Sequence, residues 1–167
     1  MEYISSDTNI WLDFCIISRL DLPFRLPYKY IIYKEALREE IVSPPELLAD
    51  LKRLGLNGVE ISFEEFSYAD KLATKYVKLS AYDRVALAIA KKRNITLLTG
   101  DNALRKAAVK EDVAVIGTIG ILDRLYEGKL INQLEYSFCL ESLLMHKERR
   151  LPEEEMRNRL MNLEKNK

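Results

Sequence analysis

Short apolar runs that suit β-strands alternate along this chain with stretches that suit α-helices. The strand-like runs lie at residues 3–6, 28–33, 95–99 and 113–116, with a further strand or extended loop at 59–63. They are short and apolar on both faces, which is typical of parallel strands that helices cover on both sides. We therefore predict an α/β fold, a three-layer sandwich whose central, mostly parallel sheet is flanked by helices.

Helical patterns fill the intervals between these runs. They lie at residues 8–20, 34–41, 44–54, 64–77, 81–92, 102–109 and 119–126, and two polar-faced helices follow from residue 133, interrupted near Pro152. A chain of 167 residues with 48% hydrophobic content can bury one substantial core. We expect a folded domain at residues 1–130 and a C-terminal helical extension at 131–167 that packs on it or projects from it.

The charge balance limits how this chain could bind nucleic acid. Its 26 basic and 26 acidic residues cancel, so any nucleic-acid surface has to be local. The candidate basic segments are residues 91–93, 105–110 and 146–150. Taken alone, each of them is more typical of a solvated helix face.

Cysteine and histidine usage excludes several kinds of site. Cys15 and Cys139 lie in apolar surroundings far apart in the sequence, which favours reduced, buried thiols. A single histidine, His146, excludes a His-rich zinc site and catalysis by paired histidines. The N-terminus does not resemble a signal peptide, and no apolar run approaches the ~18 residues of a membrane span. We expect a soluble, cytoplasmic protein with no membrane contact.

Four acidic residues follow predicted strands or border the apolar sides of predicted helices: Asp7, Glu40, Asp83 and Asp101. Asp7 and Asp101 come just after strands, and parallel sheets bind their ligands beyond the carboxyl ends of the strands. Carboxylates that converge near an apolar interior are unfavourable unless a cation holds them. The pattern therefore predicts a divalent-metal site and favours phosphodiester hydrolysis.

Three of these acids also have a purely structural interpretation. Asp7 and Asp101 suit a turn or a helix N-cap where a strand gives way to a helix. Asp83 forms a capping-box pattern with Ser80, although it aligns with the apolar positions of its own helix. A cap and a metal ligand are geometrically compatible at the end of a strand, so both roles stay open.

Glu40 lies in an acidic cluster on a helix, and such clusters are usually solvated. It comes three residues after Leu37 and therefore borders the inward stripe of the helix. Glu35 and Glu39 project away from that stripe. Glu40 is thus the glutamate that we expect to face a groove.

The ordered acids resemble those of the PIN domain, a family of metal-dependent nucleases that includes the VapC toxins of bacterial and archaeal toxin–antitoxin pairs. The matching stretches are Ser6-Asp7-Thr8-Asn9, Glu40-Ile41, residues 82–90 and Leu97-Leu98-Thr99-Gly100-Asp101-Asn102, and residues 115–122 resemble the last strand and helix of VapC-like members. The resemblance implies a PIN-like fold and an endoribonuclease that hydrolyses RNA, with a toxin role as one form of it.

The resemblance also implies a role for each matching residue. Asp7, Glu40, Asp83 and Asp101 would hold Mg²⁺ or Mn²⁺ and act in catalysis, and Asn9 and Thr99 would support them or position the substrate. The expected partners are single-stranded RNA, an antitoxin protein and a second copy of the chain. Hard oxygen ligands are the ones that these two cations prefer.

Two other functions compete with this one. A haloacid-dehalogenase-type phosphatase needs a second acid two residues after the first, and that position is Asn9. A catalytically inactive PIN-like module that binds protein or RNA stays open, although the presence of all four acids argues against it.

Overall fold

A computed structural model describes residues 1–166 and has one central sheet. Its strands are β1 (Glu2–Ser6), β2 (Tyr28–Tyr33), β3 (Asn57–Val59), β4 (Thr96–Leu98) and β5 (Val115–Ile116), in the order β3-β2-β1-β4-β5. All four strand pairings are parallel. The predicted α/β fold with a central parallel sheet is confirmed.

Nine α-helices surround this sheet within residues 1–166. They are α1 (Ile10–Ile16), α2 (Lys34–Glu40), α3 (Leu47–Leu54), α4 (Phe63–Lys75), α5 (Ala81–Arg93), α6 (Asn102–Lys110), α7 (Thr118–Glu127), α8 (Gln133–Met145) and α9 (Glu153–Lys165). Short 3-10 helices lie at Pro23–Arg25 and Lys147–Arg149. No helix within residues 1–166 is long and apolar enough to cross a membrane.

Several predicted elements differ in extent from the observed ones. The helix expected at 44–54 begins at Leu47, and the strand expected at 113–116 is limited to Val115–Ile116. The helix expected at 8–20 ends at Ile16, because Ser18 adopts a left-handed conformation (φ 57°) and the Arg19 N–H bonds back to the Phe14 carbonyl at 2.9 Å. The strand expected at 59–63 lies earlier, at Asn57–Val59. Ser62 instead forms the capping box that begins α4.

Helix α5 packs closely against the first strand beside the candidate acids. All residues from 85 to 90 are buried, and the Ser5 hydroxyl of β1 donates to the Ala86 carbonyl at 2.9 Å. This contact fixes the start of α5 against the first strand. Asp83, in the first turn of α5, is thereby brought to the same end of the sheet as Asp7.

The C-terminal helices contribute to the main core. Tyr136, Leu140 and Leu143 of α8 and Met156 of α9 belong to the same buried cluster as Trp11 of α1. The described part of the extension therefore packs on the sheet and its helices. The domain boundary at residue 130 stays a prediction.

Candidate active site

Asp7 lies where the central strand of the sheet ends. β1 and β4 are parallel neighbours with Ser6 opposite Leu98, and the Asp7 N–H donates to the Leu98 carbonyl at 3.1 Å. Asp101 follows β4 by three residues. The two aspartates therefore share the carboxyl edge of the sheet, as the strand pattern predicts.

The Asp7 carboxylate is buried and receives only hydrogen bonds. Asp7 is 7% exposed. Its Oδ1 accepts the Ile10 N–H at 3.1 Å, and its Oδ2 accepts a hydrogen bond from the Thr99 hydroxyl. Burial, together with the charges of Asp83 and Asp101, raises the pKa of Asp7 from 3.8 to about 7, and the hydrogen bonds from Thr99 and Ile10 oppose that rise. Asp7 thus lies in a site that favours added positive charge.

Asp83 is held by the turn that begins α5. Its Oδ2 accepts the Ser80 N–H at 3.0 Å, and its own N–H donates to the Ser80 hydroxyl at 3.1 Å. Burial raises the pKa of Asp83, the hydrogen bonds oppose that change, and the charge of Asp101 adds to it. The capping role and the approach to the other acids therefore coexist in this residue.

Thr99 connects Asp101 to Asp7. Asp101 caps α6, since its Oδ1 accepts the Leu104 N–H at 2.8 Å, and its own N–H donates to the Thr99 hydroxyl oxygen at 3.1 Å. Thr99 is fully buried and donates its proton to Asp7. One hydroxyl thereby joins the acids that follow two adjacent strands.

Glu40 ends α2 and reaches the same region. Its Oε1 accepts a hydrogen bond from the Thr8 hydroxyl at 2.9 Å. Thr8 directly follows Asp7 in the sequence. Glu39 instead accepts the hydroxyl of Tyr82. The two neighbouring glutamates therefore have different partners, and Glu40 is the one tied to the loop after β1.

Three of the four acids line one narrow cleft. Asp7, Glu40 and Asp83 surround a space of about 10 Å³, enough for roughly one water molecule. Asp101 lines the neighbouring cleft, of about 300 Å³, together with Asn9. The structure thus groups three acids and places the fourth beside them.

The donor set suits a hard divalent cation in chemistry and in charge. All four side chains offer carboxylate oxygens, and Asp7 is a buried carboxylate without a cationic partner among residues 1–166. In that part of the chain, no three or more Asp, Glu, His or Cys side chains are close enough to hold a metal as they stand. The acids would have to draw together around a bound ion.

A family model described as a PIN domain matches residues 3–165. The chain belongs to the PIN domain family. Comparison with curated proteins and with solved structures gives no match. PIN domains are generally nucleases that act on nucleic acid, and they typically bind divalent metals.

A further buried acid of this PIN domain, Asp13, was not predicted from the sequence. Asp13 of α1 is 3% exposed, its Oδ1 accepts Nε of Arg149 at 2.6 Å, and its Oδ2 accepts the Thr118 hydroxyl at 2.7 Å. Burial raises the pKa of Asp13 against the effect of both partners. The spacing of the sequence could have indicated its burial. Asp13 lies three residues after the buried Ile10 and therefore falls on the inward side of α1.

Asn9 binds Arg149, the ion-pair partner of Asp13, through its backbone. Its carbonyl oxygen accepts a guanidinium N–H of Arg149 at 2.8 Å, and its side chain makes no capping bond at the start of α1. Asn9 is exposed and lines the same cleft as Asp101. Its predicted role in supporting the acids or positioning substrate stays a prediction.

Proposed function

We propose that this PIN domain is a metal-dependent endoribonuclease in which Asp7, Glu40, Asp83 and Asp101 hold Mg²⁺ or Mn²⁺. The observation that carries the proposal is the state of Asp7. Its carboxylate is buried, its pKa is raised to about 7, and the nearby charges that act on it are those of two further aspartates. A divalent cation at this point would neutralise that charge.

Each acid is oriented by a local partner before any cation binds. Thr99 and the Ile10 N–H hold Asp7, and Ser80 holds Asp83. Thr8 holds Glu40, and the Leu104 N–H holds Asp101. A bound divalent cation would supply an activated water and positive charge for phosphodiester hydrolysis, with a 5′-phosphate and a 3′-hydroxyl as the expected products. The hydrogen bonds limit the rearrangement that the carboxylates need in order to bind it.

Single-stranded RNA is the substrate that suits this site best. The cleft lined by Asp7, Glu40 and Asp83 is narrow, so a flexible strand that can bring one phosphate to its mouth suits it better than a rigid duplex. The zero net charge means that affinity has to come from a few local cations. Arg105 and Arg150 line the clefts beside Asp101 and are suitably placed.

A toxin role, with an antitoxin protein and a second copy of the chain as partners, extends this proposal. The resemblance to VapC toxins supports it. Expression of wild type should then arrest cell growth, and expression of Asp7→Asn should not. Growth that is unaffected by an active nuclease would contradict the toxin role and leave the endoribonuclease proposal intact.

A non-catalytic binding module is the second candidate. The observation that favours it is the absence, within residues 1–166, of three metal-ligating side chains already close together. Such a module would bind RNA or protein without cutting RNA.

RNA cleavage separates the two candidates. Wild type, Asp7→Asn and Asp70→Asn would be incubated with end-labelled single-stranded RNA in Mn²⁺, in Mg²⁺ and in EDTA. Asp70 is an exposed aspartate of α4 and serves as the matched control. We expect metal-dependent products from wild type and Asp70→Asn but not from Asp7→Asn. An Asp7→Asn protein that cleaves at the wild-type rate would contradict the proposal, and no cleavage by any protein would favour the binding module.

A further inference from the structure

The C-terminal turn at Lys147–Arg149 is fixed against the helix that follows the first strand. The Arg149 Nε–H donates to Asp13 Oδ1 at 2.6 Å. A second guanidinium N–H of Arg149 donates to the carbonyl oxygen of Asn9, the N-cap of α1, at 2.8 Å. The Arg149 side chain is 21% exposed and that of Asp13 is 4% exposed. The turn is therefore held by a mostly buried ion pair rather than by surface contacts.

Arg150 follows directly and has a defined backbone position. It adopts a left-handed conformation (φ 54°), and its N–H bonds to the Lys147 carbonyl at 3.1 Å. The ion pairs of this region are made by its neighbours Arg149 and Arg157, and none within residues 1–166 involves Arg150. Arg150 is thus an exposed cation on a fixed backbone with its charge available.

Arg150 lies between two clefts that flank the loop after β4. One, of about 300 Å³, contains Asp101 and Asn9. The other, of about 600 Å³, contains Asn102 and Arg105. Arg150 lines both, so it lies where the cleft that contains Asp101 meets the larger cleft.

Arg105 brings a second cation to the larger cleft. Its guanidinium lies so close to Gly117 that a Cβ added there would be 2.6 Å from a terminal nitrogen. Asp123 lines the same cleft and forms an ion pair with Arg159, with 2.9 Å between Asp123 Oδ2 and the Arg159 guanidinium. Arg105 and Arg150 both line this cleft, and neither forms an ion pair with a carboxylate within residues 1–166.

We propose that Arg150, together with Arg105, binds a backbone phosphate of single-stranded RNA adjacent to the scissile one. This inference rests on the proposed function, because it places the strand that the four acids would cut. Guanidinium groups bind phosphate oxygens through paired N–H donors. These two exposed arginines have no carboxylate partner in the described part of the chain and are available to do so. The larger cleft would then receive the strand as it leaves the acids.

RNA binding in EDTA tests this without cleavage. The Kd of a fluorescein-labelled 12-nucleotide RNA would be measured by anisotropy at several salt concentrations for wild type, Arg150→Asn and Lys147→Asn. Asparagine tolerates the left-handed backbone at position 150, so the turn should stay folded. Lys147→Asn removes the same charge from the same turn, and Lys147 lines neither cleft beside Asp101.

We expect Arg150→Asn to weaken binding about fivefold, as for the loss of one exposed charged contact. The slope of log K against log salt should fall by about 0.7, the value for one phosphate contact with a single strand. Lys147→Asn should leave the slope unchanged. In Mn²⁺, the Arg150→Asn change should appear in KM and not in kcat.

Two results would overturn the inference in different ways. If wild type binds and cleaves RNA but Arg150→Asn and Lys147→Asn have equal slopes and equal affinities, the phosphate contact is wrong and the nuclease proposal stands. If wild type neither binds nor cleaves RNA, the proposed function fails and this inference fails with it.

Discussion

The buried hydroxyl of Thr99 donates to the Asp7 carboxylate, across the ends of two adjacent parallel strands. The same hydroxyl oxygen accepts the Asp101 N–H at 3.1 Å. Thr99 therefore hydrogen-bonds to both aspartates at the strand edge. It partly offsets the burial that raises the pKa of Asp7.

Thr99→Val should raise the pKa of Asp7 above about 7, because it removes a donor that stabilises the charged form. The pKa would be measured by NMR titration of the carboxyl carbons in EDTA. Thr99→Ser keeps the hydroxyl and should leave the pKa close to the wild-type value. Equal pKa values in the valine and serine variants would show that the hydroxyl does not act on Asp7.

Asp7→Asn should make the metal-free protein more stable at pH 8. The pKa of Asp7 is about 7 in the folded chain and 3.8 in the reference state, so between these values the folded protein binds a proton that the unfolded chain releases. Stability therefore falls as pH rises through this window, by up to about 4 kcal/mol for one group. Urea unfolding in EDTA at pH 4 to 8 should show a weaker decline for Asp7→Asn than for Asp70→Asn. Equal pH profiles would contradict the raised pKa.

Glu40→Gln should lower RNA cleavage far more than Glu39→Gln. Glu40 lines the cleft with Asp7, whereas Glu39 accepts a hydrogen bond from Tyr82 and does not line it. Loss of a group that merely supports a metal ligand typically costs 10- to 100-fold, and loss of a ligand should cost at least ~100-fold. Initial rates in Mn²⁺ would measure this. Equal rates for the two variants would remove Glu40 from the site.

Arg149→Ala should destabilise the protein strongly, because it leaves the Asp13 carboxylate buried with Thr118 as its remaining side-chain partner. Breaking a buried ion pair from one side typically costs about 3–5 kcal/mol. Arg157→Ala breaks an exposed pair with Glu153 and should cost less than about 1 kcal/mol.

The double variant Asp13→Leu/Arg149→Met should recover most of the stability lost in Arg149→Ala, since no uncompensated charge stays buried. Urea unfolding of the four proteins measures all these effects. Equal losses in Arg149→Ala and Arg157→Ala would show that the Asp13–Arg149 pair contributes little.

The ends of β1 and β4 were predictable from sequence, whereas the position of β3 and the contacts between distant segments were not. Asp7 and Asp101 could be placed at one edge because an apolar strand precedes each of them and parallel strands share their carboxyl edge. The Asp13–Arg149 pair joins residues separated by 136 positions, so no local pattern reveals it. The early end of α1 depends on the left-handed Ser18, for which the sequence carried no glycine signal.

The separation of the acids also lies beyond sequence patterns. Asp101 lines a different cleft from Asp7, Glu40 and Asp83 because its side chain turns to cap α6. Spacing along the chain can place four acids at one sheet edge, but side-chain hydrogen bonds decide how close they come. The metal site therefore has to be tested directly.

The most direct test is the thermal stability of the protein during titration with Mn²⁺. If the acids hold the cation, the Tm of wild type and of Asp70→Asn should rise with concentration, with about 2.7 kcal/mol of stabilisation at 100 times the Kd, and the Tm of Asp7→Asn should not rise. A Tm of wild type that Mn²⁺ leaves unchanged, or an equal rise in Asp7→Asn, would contradict a metal site at these carboxylates.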